Sequence, residues 1–251
     1  MEKNTSNPKV TLVVPTLNEI KGMRVIMPRV NRELLHQIII VDGGSTDGTI
    51  EYAREMGYEI YLQKERGIRL GLIENYPNIK GDIIITFSPD GNSVPELIPD
   101  LIEKMKIGYD MVIVSRYLGD ARSFDDTFIS RLGNWSFTKI INFLFAYHYT
   151  DALVMFRAYK REVPERLGII KRRSKLFEKF IGMYISWEPQ LSVRCAKHRL
   201  KITEIPGDEP LRVEDVGRKG NRLLPPTRIY HFRSGFAQLY MFAEEFIRRD
   251  L

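Results

Sequence analysis

Three features of this chain predict an α/β fold with a mostly parallel central sheet flanked by helices. Short β-branched runs alternate with helical stretches through the first half, which is the βαβ rhythm of strands joined by crossover helices. Polar clusters sit where the apolar runs stop. The chain's 251 residues, 43% hydrophobic and 28% charged, are enough to bury one large core.

Taken in order, residues 11–14 form the first strand, and residues 18–34 read as a helix. Pro28 must kink or end that helix near Met27, because proline lacks an amide donor and pushes the preceding residue out of helical geometry. Strand 37–41, helix 48–56, strand 59–62, helix 69–75, strand 82–87, helix 95–106 and strand 111–115 follow. The second half differs: residues 124–147 read as a long aromatic helix, 188–197 as a shorter one and 200–206 as a strand. Beyond a loop at 207–226, Ile229, Phe232, Phe236, Leu239, Ala243 and Phe246 recur near helical spacing and predict a closing amphipathic helix over 227–251. No internal repeat or low-complexity segment interrupts the pattern, so one domain is expected over 1–251.

Composition narrows the function classes. No apolar run approaches the ~20 residues of a membrane-spanning helix, and MEKNTSNPKV lacks the apolar core of a secretory signal. The expected location is the cytoplasm, at most peripheral on the cytosolic membrane face. The lone Cys195 cannot form an internal disulfide and reads as a small core residue. The formal charge of +6 favours a polyanionic partner, which nucleic acid, an anionic membrane or substrate phosphates would each satisfy. Local basic concentrations lie at Lys171, Arg172, Arg173 and Lys175, and at Arg212, Arg218, Lys219 and Arg222.

Three clusters carry the chemistry. The first strand runs into PTLNE and the second into VDGGSTDGT, and in an open parallel sheet the crevice beyond the strand ends is where nucleotides bind. The third cluster, SPDGNSVPE, follows strand 82–87. There Asp90 and Asn92 can offer hard oxygen ligands to Mg²⁺ or Mn²⁺, which needs only one or two protein carboxylates when phosphate and water complete its shell. The same four residues PDGN equally suit a plain β-turn.

Together with VIVSRY, these clusters resemble the inverting family 2 glycosyltransferases of the GT-A fold. YTDALVMFRAYK, then ITEIP followed by Arg212 and Arg218–Lys219, resemble their dolichyl-phosphate mannose synthase-like branch, so the likeness runs in order from Val10 to Lys219. The resemblance implies a nucleoside diphosphate sugar as donor, a nucleotide-sugar-binding half over 10–118 and an acceptor half over 119–226. It implies that Pro15, Asn18, Glu19 and Asp42 clasp base and ribose, and that Asp90 holds the metal with Asn92. The competing idea is a metal-free mode, in which Arg66, Arg116, Arg157, Arg212 and Lys219, standing in the matching motifs, bind and neutralise the diphosphate, for which Arg offers bidentate donors. Asn18–Glu19 also suits a helix start, as Asp47 suits a cap. Two positions depart from the pattern: Gly43 stands where a second acid is usual, and Ser88 replaces the first acid of the metal motif.

Inverting transfer to a hydroxyl needs a base, whereas an anionic phosphate acceptor needs none. Aligning backward from KITEIP, WEPQLSVR falls on the family's base-bearing segment and puts Glu188 at the base position; the other reading makes Glu188 a cap for a helix starting at Pro189. Asp151 is the second catalytic candidate. The resemblance therefore implies transfer to a hydroxyl of a glycan or lipid-linked acceptor in cell-surface polysaccharide or glycolipid synthesis, with a polyprenyl-phosphate acceptor as the alternative; Gly43 and Ser88 also leave room for a non-catalytic nucleotide-sugar-binding protein. Nucleic acid is not an expected partner. The aromatic helix, with Arg122, Arg131 and Lys139 interleaved, suits core burial, a homodimer contact or shallow insertion at a membrane surface.

Overall fold

The structure, a computed structural model, describes residues 7–65, 67–171, 186–215 and 228–247. Arg66, Lys219 and the basic residues around 172–175 and 218–222 lie outside the described residues.

The first half alternates as predicted: β1 (Val10–Thr16), α1 (Ile20–Ile26), β2 (Gln37–Asp42), α2 (Thr49–Glu55), β3 (Glu59–Leu62), α3 (Ile68–Asn75), β4 (Ile83–Thr86), α4 (Ile98–Lys106) and β5 (Met111–Ser115). The second half adds α5 (Phe128–Phe145), β6 (Arg157–Lys160), α6 (Glu162–Arg166), α7 (Trp187–Lys197), β7 (Ile202–Pro206) and α8 (Arg228–Ile247). One seven-stranded sheet results, in the order β3-β2-β1-β4-β6-β5-β7. Within it, β6 runs antiparallel to both β4 and β5, while the other pairs are parallel.

Strand alternation divides the core into two layers. Leu12, Val14, Ile38, Ile40, Ile85 and Val112 face α1, α2 and α4 through Met23, Ala53 and Leu101. Val13, Ile39, Val41, Ile84, Met111 and Ile113 face the other layer, where Leu72, Ile141, Trp187, Leu191 and Phe242 come from α3, α5, α7 and α8. Burial on both faces is why the strands read as continuous apolar runs. Cys195 is a buried free thiol within the second layer.

Several elements differ from expectation. The helix predicted over 18–34 breaks after Ile26 into 3₁₀ turns at Met27–Arg29 and Arg32–Leu34, with Pro28 early in the first, as its missing donor requires. The aromatic helix is shorter than 124–147: Thr127 caps its start by accepting from the Ser130 amide at 3.2 Å, and Ala146 ends it in left-handed geometry at φ 47°. Glu188 does not cap α7, because the helix already begins at Trp187 and Glu188 lies in its first turn. Strand β6 was not foreseen, since it is four residues long and opens on a buried Arg157 that erases any apolar alternation.

Candidate active site

Every predicted site residue within the described part that does not fall in the core gathers at one edge of the sheet. Strands β1, β2, β3 and β4 end there, β5 and β7 deliver Arg116 and the 207–212 segment there, and antiparallel β6 begins there. A crevice at the carboxyl ends of the strands follows from this topology.

The loops after β1 and β2 are bound to each other. Asp42 is fully buried, and its carboxylate accepts four hydrogen bonds: from the Thr16 hydroxyl at 2.7 Å, the Ser45 hydroxyl at 2.6 Å and the Gly44 and Ser45 amides at 2.8 and 2.7 Å. Those four bonds use the acceptor positions a carboxylate has. Gly44 sits at φ 93°, open to glycine without strain. Asn18, itself left-handed at φ 58°, accepts from the Thr46 amide at 2.9 Å, and its own amide donates to the Ser45 hydroxyl at 2.8 Å. Asp47 joins the starts of α1 and α2 by accepting from the Ile20 amide at 3.1 Å and from the Thr49 amide and hydroxyl at 3.0 and 2.6 Å. Burial works against its charge, but these donors hold its carboxyl below the ordinary range. Glu19 makes no side-chain cap for α1, and burial, reinforced by the charge of Asp90, pushes its carboxyl up to about 7.

The space above Gly43 is occupied. A Cβ there would lie 2.7 Å from the Gln63 amide nitrogen, and one on Gly71 would lie 2.5 Å from the Gln63 amide oxygen. The side chain of Gln63, just past β3, thus lies where the usual second acid would stand.

After β4, the PDGN turn is both a turn and a polar cluster. Gly91 has φ 107°, and a Cβ on it would lie 3.0 Å from the Val213 amide. That close approach seats the 211–213 segment, whose Val213 amide donates to the Asp90 carbonyl at 2.8 Å. The Asn92 amide group donates to Asp125 at 3.0 Å, while the Asn92 side-chain oxygen is buried with no hydrogen-bond partner. Arg212 places its Nε 3.5 Å from both Asp90 and Asp125. No cluster of three or more His, Cys, Asp or Glu fit to hold a metal occurs among the described residues. An orphaned amide oxygen two residues from a carboxylate nevertheless fits a hard cation that draws its remaining ligands from phosphate and water.

On the other side of the crevice the charges are paired. Arg116 donates Nε to Asp151 at 2.6 Å, Nη2 to the second oxygen of Asp151 at 3.0 Å and Nη1 to Glu209 at 3.2 Å. Although burial opposes its charge, the two carboxylates hold the guanidinium well above its ordinary pKa. Arg157 opens β6 at this same edge, but its side chain is wholly buried and turned into the core. It donates to the carbonyls of Val154, Ala152 and Glu188 and to the Ser192 hydroxyl at 2.8 Å, tying β6 to α7. Glu188 is buried beside it, with Oε1 unpartnered and its carboxyl raised by desolvation against the opposing charge of Arg157. Asp151 is likewise buried, and its oxygens are taken by Arg116 and the Leu153 and Val154 amides.

Two cavities open at this edge and share Arg116. One of about 180 Å³ is bordered by Ser88, Asp90, Asn92, Glu209 and Arg212. The other, about 700 Å³, lies under α5 and is bordered by Arg116, Arg122, Arg131, Trp135, Lys139 and Tyr149.

The family model for glycosyl transferase family 2 matches residues 11–168, a span that holds the loops after β1 and β2, the PDGN turn and Arg116. The chain belongs to glycosyl transferase family 2. Among curated relatives, it is 33% identical to the dolichol-phosphate mannosyltransferase of Pyrococcus furiosus over 118 residues, covering 44% of this chain and 34% of that one. It is 26% identical to the undecaprenyl-phosphate 4-deoxy-4-formamido-L-arabinose transferase of Aeromonas hydrophila over 183 residues, covering 68% of this chain and 55% of that one. The chain thus spans between about a third and just over half of the length of these relatives. The fold matches glucosyl-3-phosphoglycerate synthase from Mycobacterium tuberculosis, solved with Mn²⁺, UDP-glucose and glycerol 3-phosphate. The TM-score is 0.67 at 17% identity, over 97% of this chain and 82% of that one. That likeness establishes the GT-A fold of this family 2 chain.

Two residues of the family 2 crevice were missed from sequence. Asp125 is brought to Asn92 and Arg212 only by tertiary folding, and it sits in a loop without a motif. Glu209 was invisible for the same reason, since its partner Arg116 lies 93 residues away.

Proposed function

We propose that this chain transfers a sugar, with inversion, from a nucleoside diphosphate held at the strand-end crevice to the phosphate of a polyprenyl-phosphate acceptor lodged under α5. One observation carries the choice of acceptor. The cleft of about 700 Å³ beside the crevice is bordered by Arg116, Arg122, Arg131 and Lys139, whereas Glu188 borders neither cavity there. The names of the two curated relatives, an undecaprenyl-phosphate and a dolichol-phosphate transferase, support the same class.

In this reading Pro15, Asn18 and Glu19 border the base and ribose, and Asp42 holds the GGST loop in shape for them. Asp90 and Asn92 would hold Mg²⁺ or Mn²⁺, which when bound neutralises the leaving diphosphate. Arg212 turns from Asp90 and Asp125 toward the same phosphates. An oxygen of the acceptor phosphate attacks the anomeric carbon as the bond to the diphosphate oxygen breaks, and the electron pair leaves with the nucleoside diphosphate. The attacking oxygen is already anionic, so no proton is removed.

A hydroxyl acceptor is the second reading, favoured by the unpartnered Oε1 of Glu188 and its raised carboxyl, properties suited to a base. One experiment separates the two. The enzyme is incubated with a panel of nucleotide sugars and either polyprenyl phosphate or a neutral glycan, and Glu188→Gln is compared with wild type. The phosphate reading expects a lipid-phosphate sugar and a turnover change within a few-fold. A loss of about 10²–10⁴-fold in Glu188→Gln, with transfer only to the glycan, establishes the base instead. No turnover of any donor refutes the transferase.

A further inference from the structure

We infer that the outward faces of α5 and α8 form a docking surface for an anionic lipid bilayer. On a solvated helix the outward stripe is polar. Here the outward stripe of α5 carries Phe128, Leu132, Trp135 and Phe143, spaced by helical turns and interrupted by a single cation, Lys139, with Phe128 82% and Phe143 86% exposed. Among the described side chains of α8, the exposed ones are Phe236, Leu239, Tyr240, Ala243, Phe246 and Ile247, none of them charged. The helices lie side by side, joined by ring contacts between Phe137 and Phe242 at 5.9 Å and Phe145 and Phe246 at 6.3 Å. Their stripes therefore belong to one apolar face, far beyond the scattered exposed residues of an ordinary surface.

Charge chooses the occupant. Arg122, Arg131 and Lys139 border this face where it meets the cleft under α5. A cationic margin around bulky apolar groups complements an anionic headgroup layer with acyl chains beneath it. A symmetric contact with a second copy would set the same patch of cations against itself. No helix among the described residues is long and apolar enough to cross a membrane, so the contact is in the plane of the interface. In that orientation the mouth of the cleft meets the lipid, where a lipid-linked acceptor resides. The surface itself is independent of the transfer reading, and its test contains no sugar donor.

The chain has two tryptophans, Trp135 on this face and Trp187 buried in the core, so Trp135 reports contact by itself. The full chain is titrated with vesicles of phosphatidylcholine alone or with added phosphatidylglycerol, following Trp135 emission and co-sedimentation. Expected are a blue shift, quenching by bromine-labelled acyl chains, and binding at least about tenfold tighter with the anionic lipid, weakening as salt rises. The double variant Phe128→Ser, Phe143→Ser changes only exposed side chains; it should lose binding at least about tenfold while its circular dichroism and melting temperature stay as in wild type. Three results overturn the inference: no emission shift with either vesicle, equal binding to both vesicles, or a dimer in solution that the double variant dissociates while vesicle binding is absent.

Discussion

The two sides of the crevice, which we propose hold the donor and the acceptor, are built on opposite plans. Around β1, β2 and α1, hydrogen bonds to Asp42, Asn18 and Asp47 shape and join two backbone loops, and the longest of these spans 28 residues. Across the crevice, buried charges are matched over far greater separations, such as the 93 residues between Arg116 and Glu209, and exposed helix faces are apolar. The first side is a cradle of backbone loops built on two adjacent strands of the sheet. The acceptor side is an electrostatic assembly that exists only in the folded chain.

That contrast can be broken at its strongest point first. Asp90→Ala removes the only carboxylate of the PDGN turn and should lower turnover by more than about 10²-fold, with added Mg²⁺ or Mn²⁺ failing to restore it; turnover near wild type would move the phosphate chemistry onto the arginines. On the acceptor side, Asp151→Ala leaves the buried Arg116 with Glu209 alone. Chemical denaturation should record a loss of about 3–5 kcal/mol, as expected when one partner of a buried pair is removed. Asp42→Asn keeps the shape but loses acceptor capacity in the GGST loop. It should raise the donor KM about tenfold and lower the melting temperature, since buried donors lose a charged acceptor.

Glu188 supplies a pH test that separates stability from catalysis. Burial raises its carboxyl in the folded protein above the unfolded value, so the folded state binds the extra proton. Stability is therefore fully present below the unfolded carboxyl pKa and is lost as pH rises through the folded one. Glu188→Gln should melt higher than wild type at neutral pH, and the gap should close near pH 4. A constant gap across that range would place the charge of Glu188 elsewhere. The smallest effect belongs to the surface: Arg29→Ala breaks the exposed pair with Glu96 and should cost less than about 1 kcal/mol without altering turnover.

Sequence and structure agree where interactions are local. The strand and helix order through β5 was legible because two-sided burial writes apolar runs and the crevice motifs lie directly at their ends. Pro28 announced the break after α1 because its effect is a property of its own ring. Strand β6 was not legible, since Arg157 looks like a surface charge until its guanidinium is seen capped by Ala152, Val154 and Glu188 carbonyls. Gly43 looked like a lost acid, and only the packing of β3 beside it revealed that Gln63 fills the place.

By itself, the sequence determined the α/β architecture, the family and the polar loops at the strand ends, because hydrophobic period and turn residues are written in near neighbours along the chain. Tertiary structure alone decided that Asp151 is bound to Arg116, that Asp125 joins Asn92 and Arg212, and that aromatic residues of α5 and α8 face outward together. Those outcomes depend on which distant groups meet in a low-dielectric interior, where pairing rather than residue type sets whether a charge is available for chemistry.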